Sequence, residues 1–183
     1  TEFVRFLSGY CEDKRIDVVL PIGLDVTTAL SRHIADFRAG AKIPIAPWDK
    51  MQVAADKARS MRLAENLGVA TPRGFASAAD VDSYPVVVKS VEGSGKIRYV
   101  NSLKELESLD LSGSLVQEYI PGDGYGFFAL YNEGRLRASF MHRRLREYPV
   151  TGGPSIAAES VRDHELEEAG RRLLDGLGWH GVV

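Results

Sequence analysis

Two lysines on separate segments are the residues of this sequence best suited to chemistry on phosphates. Lys89 ends the apolar run Val86–Val88, and Lys57 lies earlier, in a segment with helical spacing. Ammonium groups on two elements can neutralise a polyphosphate from two sides. A lysine at the end of a buried strand either meets an anion or extends to solvent, because it is not stable unpaired in a core. The pair therefore indicates an anion site, with two solvated surface charges as the alternative.

A glycine-bearing loop, Glu92-Gly93-Ser94-Gly95-Lys96, follows the second lysine. It does not fit the Walker pattern, since Ile97 stands where Ser or Thr is required and Ser90 where the first glycine is required. Glycines at such a place allow backbone amides to approach phosphate oxygens closely.

Four segments, in this order, resemble the ATP-grasp superfamily, and in particular biotin carboxylase and the large chain of carbamoyl-phosphate synthetase. They are the Lys57 helix ending near Gly68, the strand YPVVVKS over 84–90, the loop over 92–96, and LVQEYIPG over 115–122. In that superfamily the first three hold the phosphates and the last contacts adenine. The resemblance implies nucleotide contacts at Lys57, Lys89, Gly93, Ser94, Gly95, Lys96, Gln117, Glu118, Tyr119, Ile120 and Asp123.

The ribose contact departs from the superfamily pattern. Many members have a glutamate two residues after the glycine equivalent to Gly122, and this chain has Gly124 there. Asp123 is the candidate replacement. A turn aspartate bonded to its own backbone is the alternative for this residue.

The segment HRRLREYPVTGGPS over 142–155 is predicted to lie on the acceptor side. A guanidinium fork matches phosphate or carboxylate, so Arg143, Arg144 and Arg146 are the candidate catalytic residues; an edge strand kept soluble by charge is the alternative. A regular strand would place Arg144 and Arg146 on one face and Arg143 on the other. The resemblance implies acceptor contacts in the glycine-bearing loop, at Thr151, Gly152, Gly153 and Ser155. His142 is a further candidate on the substrate side, where it could act as a base; a structural histidine on a strand is the alternative.

The elements that must position these residues are read from periodicity and capping signals. We predict a buried parallel strand over 16–22, one helix from Asp49 to about Leu67 with Asp49 as its cap, and a hairpin around Asn132-Glu133-Gly134. Further predictions are strands at 86–88, 99–100 and 115–119 and helices over about 102–109 and from Asp163 to Leu177, followed by an apolar strand start at 179–183.

The predicted fold class is α/β and α+β. A partial pre-ATP-grasp, Rossmann-like region over 1–47 precedes an ATP-grasp domain over 48–183. That domain has a small lid subdomain at about 75–120 and an incomplete C-terminal subdomain at about 121–183. The resemblance places the magnesium ligands after Val183, so none is expected within this chain.

The implied function is ligation: a carboxylate is activated by ATP and Mg²⁺ as an acyl phosphate, and an amine or similar nucleophile attacks it. The expected partners are a small-molecule carboxylate and an amine-type acceptor, and homo-oligomers are possible. The fragment is expected to be inactive alone. A nucleotide sensor without chemistry and a purely structural α/β domain are the alternatives.

The composition bears on nucleic-acid binding, membrane association and cellular location. Lysine and arginine number 23 against 25 acidic residues, so no global field favours nucleic acid or an anionic membrane. There is no apolar run long enough for a bilayer, and Cys11 is the only cysteine, which predicts a cytoplasmic protein.

Overall fold

The structure, a computed structural model, describes residues 1–91, 97–148 and 153–183. The chain divides into two compact units. The first comprises Thr1–Ala55, Phe128–Ser139 and Leu174–Val183, and the second comprises Asp56–Phe127 and Phe140–Leu173.

Within the described residues, the helices are α1 (Glu2–Lys14), α2 (Leu24–Arg32), α3 (Trp48–Ala54), α4 (Lys57–Asn66), α5 (Leu103–Glu107) and α6 (His164–Leu177). The strands are β1 (Gly74–Phe75), β2 (Val86–Ser90), β3 (Arg98–Val100), β4 (Ser114–Glu118), β5 (Tyr125–Asn132), β6 (Arg135–Glu147), β7 (Ser155–Val161) and β8 (Gly181–Val182). Single 3₁₀ turns lie at Ile34–Asp36 and Ala78–Asp80. None of these helices has the length and apolar character needed to cross a bilayer.

The first unit has a small core around Val4, Leu30 and Ile45. The buried strand predicted over 16–22 is wrong. In the described part of the chain this segment makes one isolated parallel bridge, between Val18 and Lys42, and Ile22 is 88% exposed. Such a sequence is buried in a parallel sheet only between two neighbouring strands, and the described residues provide none along this run.

A close backbone approach also shapes the first unit. Gly181 has φ +90°, and a Cβ there would lie 2.3 Å from the Pro44 carbonyl oxygen. The next residue, Val182, donates its N–H to that same oxygen at 3.0 Å. Only glycine fits this position, which lies where β8 pairs with β5.

The single helix predicted from Asp49 to Leu67 is wrong, because the chain forms α3 and α4 instead. Asp56 interrupts the helix with φ −102° and ψ 110°, and its carboxylate accepts from the N–H groups of Ala58 (2.8 Å) and Arg59 (3.0 Å). The cap is therefore Asp56, and Pro47, with no side-chain bond, precedes α3 in place of an Asp49 cap. Lys57 becomes the first residue of α4.

The second unit contains an antiparallel sheet in the order β1-β4-β2-β3. One face packs Val86, Val88, Val100 and Val116 against Leu106 of α5. Side chains alternate along a strand, and the register pairs Lys89 with Leu115 and Val87 with Gln117. Lys89 and Gln117 therefore lie on the sheet face opposite to the core.

The other sheet has the order β7-β6-β5-β8. The predicted hairpin is confirmed: β5 and β6 are neighbours, and Glu133 (φ 50°) and Gly134 (φ 74°) form the turn. The strand that carries the arginines is not regular. Arg144 pairs with Ala158 and Arg146 with Ala157, so the register shifts at Leu145, as in a β-bulge.

Candidate functional site

Lys57 is held at the end of β2 by its own backbone. Its N–H donates to the Val91 carbonyl oxygen at 3.1 Å, and its Nζ lies 3.5 Å from the same oxygen. Val91 in turn donates its N–H to the Gly113 carbonyl at 3.0 Å. The start of α4 is therefore hydrogen-bonded to Val91, which lies two residues after Lys89. The structure brings the two predicted lysines together.

The electrostatics of Lys89 are those of a cation that lacks its counter-ion. Lys89 is half-buried, and it makes no hydrogen bond or ion pair with any residue that the structure describes. Burial lowers the pKa of Lys89, and the positive charge of Lys57 lowers it further. A bound polyphosphate would remove both penalties, so this pair of residues fits an anionic ligand.

Gln117 shares the sheet face of Lys89, as the register requires. It is 2% exposed, and its Nε2 donates to the Sδ of Met61 on α4 at 2.6 Å. A buried amide on the same face as an unpaired lysine is suited to a polar ring at the far end of a nucleotide.

The other residues of the predicted adenine segment are tied to their neighbours. Glu118 exchanges two bonds with Arg73: its N–H donates to the Arg73 carbonyl (2.9 Å), and its carboxylate accepts from the Arg73 N–H (2.7 Å). Tyr119 packs edge-on against Tyr99 with ring centroids 5.6 Å apart, and Ile120 is 58% exposed. The backbone at the end of β4 is thus held in place by β1 and by Arg73, the residue that precedes β1.

Asp123 is engaged by an arginine instead of by its own turn. Arg143 Nη1 lies 3.3 Å from the Asp123 carboxylate, and Arg143 Nε donates to Glu159 at 2.7 Å. The hydrogen bond that Arg143 donates to Glu159 and the negative charge of Glu159 raise the pKa of Arg143, with a smaller contribution from Asp123. Arg143 is therefore committed to carboxylates of its own chain, whereas Arg146 makes no such bond to a described residue.

A cavity of about 510 Å³ in the second unit collects several of the predicted residues. It is lined by Gly122, Asp123, Gly124, Arg144, Leu145, Arg146, Glu147, Tyr148 and Ile156. Arg144 donates its N–H to the Gly124 carbonyl at 2.7 Å and its Nη1 to Glu147 at 3.0 Å. A Cβ at residue 124 would lie 3.0 Å from the Arg144 side chain and 3.2 Å from Glu147 Oε1. The absence of a side chain at Gly124 therefore leaves space for the ion pair between Arg144 and Glu147.

The predicted acceptor residues are described only in part. His142 is half-buried on β6, with its ring 6.5 Å from that of Phe140, and Ser155 opens β7 and donates its hydroxyl to the Ala157 carbonyl at 3.1 Å. Gly153 lies two residues before the first residue of β7. The remaining predicted residues Thr151 and Gly152, and Gly93, Ser94, Gly95 and Lys96 of the glycine loop, lie outside the described residues.

The structure adds residues that the sequence did not indicate. Met61 and Val91 contact the predicted site residues Gln117 and Lys57, and Glu147 pairs with Arg144. For Met61 a signal existed, because residues four apart share a helix face and Met61 is four residues after Lys57. Glu147 is three residues after Arg144 on a strand with a bulge, where no regular spacing predicts a contact.

Among the described residues there is no group of three or more histidine, cysteine, aspartate or glutamate side chains arranged to hold a metal ion.

Comparisons with known proteins identify the fold. No protein-family model and no curated protein matches the chain. Among solved structures, the biotin carboxylase–β,γ-ATP complex from Campylobacter jejuni matches 98% of this chain and 47% of its own, with TM-score 0.70 and 16% identity. The biotin carboxylase domain of Hydrogenobacter thermophilus 2-oxoglutarate carboxylase, a dimer with MgADP, ADP and bicarbonate, covers 98% and 46% with TM-score 0.71 and 16% identity.

The D-alanine–D-alanine ligase from Bacillus anthracis complexed with ATP covers 93% of this chain and 62% of its own, with TM-score 0.63 and 16% identity. The chain thus has the ATP-grasp fold, and both the predicted resemblance and the predicted fold class are confirmed. It spans 46–62% of the length of these proteins.

Proposed function

We propose that this chain is the ATP-binding region of an ATP-dependent ligase, with the nucleotide held by the second unit. The solved structures of like fold include ligases named for joining amino acids and carboxylases named as complexes with ATP or ADP. The observation that carries the proposal concerns Lys89: it is half-buried next to the positive charge of Lys57, and Lys89 has no counter-ion among the described residues. We retain the division into a pre-ATP-grasp region over 1–47 and an ATP-grasp domain over 48–183 as part of the proposal.

The proposed reaction has two displacements. A carboxylate oxygen of the substrate attacks the γ-phosphorus of ATP, and the bond from that phosphorus to the β-γ bridging oxygen breaks, giving an acyl phosphate and ADP. An amine then attacks the acyl carbon, loses a proton to solvent or a nearby base, and expels inorganic phosphate. The products are an amide, ADP and phosphate, which are those of the ATP-dependent carboxylate–amine ligation that the sequence suggests.

The chain supplies charge and position to these steps. Lys57 and Lys89 would neutralise phosphate oxygens, and their separate elements, α4 and β2, restrict the orientation of the triphosphate. Gln117 and the backbone at the end of β4 would hold the base. Arg146, which lines the cavity and makes no bond to a described residue, is the candidate for the substrate carboxylate or the transferred phosphate.

A nucleotide sensor without chemistry is the second candidate. It requires only the anion site at Lys57 and Lys89 and no acceptor site. Phosphoryl transfer from ATP generally requires a divalent cation that bridges the phosphates, whereas binding does not.

One experiment separates the candidates. The chain is incubated with Mg-ATP, a panel of amino acids and hydroxylamine, which traps acyl phosphates as hydroxamates, while ADP release is followed. Hydroxamate formation that depends on one carboxylate supports the ligase. Tight ATP binding by calorimetry without any ADP release supports the sensor, and the absence of ATP and ADP binding contradicts both.

A further inference from the structure

The pairing of β6 with β7 is irregular at two places, and each place contributes an apolar side chain to the cavity of the second unit. At Leu145, β6 has one extra residue, because its two neighbours pair with consecutive residues of β7. At Ile156, β7 has one extra residue, because its two neighbours pair with Arg146 and Glu147, which are consecutive on β6. Both extra residues line the cavity. Bulges change the direction of side chains and are frequent beside binding sites, so the two irregularities indicate that this wall contacts a ligand.

The apolar wall of the cavity consists of Leu145, Tyr148 and Ile156, which are 52%, 72% and 64% exposed. Large apolar side chains grouped around one concave surface are unfavourable in water, and a ligand that covers them recovers hydrophobic free energy. Ile156 lies on β7, at the edge of the described sheet, where proteins usually place charged side chains. The cavity volume of about 510 Å³ is in the range of small-molecule sites, about 300–1,000 Å³. The wall therefore fits the apolar part of a small ligand.

The charged side chains of the cavity leave one positive charge without a partner. Arg144 donates to Glu147 at 3.0 Å, so these two charges offset each other. Asp123 faces Arg143, whose Nη1 lies 3.3 Å from its carboxylate. Arg146 lines the same cavity and makes no hydrogen bond or ion pair with a residue that the structure describes. The remaining charge matches a ligand with one carboxylate, and both acidic side chains of the cavity are already paired with arginines.

We propose that the carboxylate substrate of this chain is a monocarboxylic acid with an apolar body, on which an α-amino group is not required. Arg146 binds the carboxylate through its guanidinium fork, and Leu145, Tyr148 and Ile156 contact the apolar body. A second charge on that body would lie against the apolar wall, where it loses hydration without gaining a partner. This inference rests on the proposed ligase function and adds the substrate class to it.

The test measures dissociation constants of carboxylates for the unaltered chain saturated with a non-hydrolysable ATP analogue. 3-Phenylpropionate should bind about 10- to 150-fold more tightly than acetate, the scale expected for burying a phenyl group. Phenylalanine, which adds an α-amino group to the same body, should bind within about threefold of 3-phenylpropionate. Equal affinity for acetate and 3-phenylpropionate would overturn the inference, as would a preference for phenylalanine beyond that threefold range.

Two variants separate the apolar contact from the charge. Ile156→Thr keeps a β-branched side chain on the strand and should weaken 3-phenylpropionate binding by about 2- to 5-fold, the scale of one buried methylene group. Arg146→Gln should weaken it by about 10- to 150-fold and leave the binding of uncharged 3-phenylpropionamide unchanged. Leu103→Thr, at a leucine of α5 with 44% exposure, is the matched control and should change neither affinity. Unchanged 3-phenylpropionate affinity in both Ile156→Thr and Arg146→Gln contradicts the proposed site.

Methyl NMR of the unaltered chain locates the ligand even if a variant fails to fold. The methyl resonances of Leu145 and Ile156 should shift on addition of 3-phenylpropionate, and those of Leu103 should stay in place; unmoved Leu145 and Ile156 resonances show that the cavity is not the site. If the chain binds neither ATP nor ADP, the proposed function fails and the inference fails with it. If the chain binds ATP but binds no 3-phenylpropionate, or forms hydroxamate from acetate as readily as from 3-phenylpropionate, the inference alone fails.

Discussion

Replacing Lys89 with methionine should stabilise the nucleotide-free chain while weakening its binding of ATP. Burial and the positive charge of Lys57 both lower the pKa of Lys89, so the folded protein is penalised for holding this charge. Methionine keeps most of the length of the side chain and removes the charge. If Lys89 contributed only to folding, its replacement would instead lower the stability of the nucleotide-free chain.

The expected magnitudes are modest for stability and large for binding. Relief of a half-buried like-charge contact should contribute about 0.5 kcal/mol, the lower end for surface-charge changes. For a chain of this size, that raises the melting temperature by about 1–2 °C. Loss of a charge-assisted bond to phosphate costs about 1.5–3 kcal/mol, which weakens the affinity for ATP by about 10- to 150-fold.

The pH dependence gives an independent readout. Because the pKa of Lys89 is lowered from 10.5 in the folded chain, the unfolded chain binds more protons between the lowered value and 10.5. The contribution of Lys89 to the free energy of unfolding should therefore rise with pH in that window. ATP raises the pKa of Lys89 back, so ATP affinity should fall as pH rises through the same window, and Lys89→Met should remove both dependences.

The assay is scanning calorimetry with and without ATP, together with titration calorimetry. Lys104→Met, at an exposed lysine of α5 in the same unit, is the control and should leave ATP affinity unchanged. A lower melting temperature for nucleotide-free Lys89→Met, combined with unchanged ATP affinity, would refute the account of this lysine as an anion-binding residue.

Two further substitutions test the packing and the cap. A Cβ at Gly170 would clash with the Phe127 ring. Gly170→Ala should therefore lower the free energy of unfolding in urea by about 1–3 kcal/mol. The control is Gly9→Ala, which has open space around it and should leave the stability unchanged or raise it. Asp56→Ala removes the cap of α4 and should lower the free energy of unfolding by about 1 kcal/mol. It should also weaken ATP binding, because Lys57 is the first residue of that helix. If Asp56→Ala is destabilised but binds ATP as tightly as the unaltered chain, the cap does not position Lys57.

The local signals in the sequence predicted many of the elements correctly. Asn132-Glu133-Gly134 forms the hairpin turn, Asp163 accepts from the Leu166 N–H at 2.9 Å at the start of α6, and the strands around Val86–Val88 and Leu115 are present. Each of these depends on residues a few positions apart, where backbone preference and capping are decided locally.

The errors occur where distant residues compete with local preference. The apolar run over 16–22 has the composition of a buried strand, yet only a partner strand can make it one, and in the described part of the chain Lys42 supplies one bridge. The helical spacing of apolar residues continues through Ala55 and Asp56. The sequence pattern is therefore compatible with one continuous helix and also with the two helices, α3 and α4, that the chain forms. The bulge at Leu145 depends on the register with β7, a strand that the sequence did not predict.

For the candidate site, charge and strand position in the sequence identified Lys57 and Lys89 as candidates, and the resemblance to the ATP-grasp superfamily added Gln117. Their surroundings came from tertiary structure: the contact of Met61 with Gln117, the two bonds from Lys57 to Val91, and the absence of a counter-ion for Lys89 in the described residues. Chemistry requires distances and desolvation, and both arise only when segments far apart in sequence pack together.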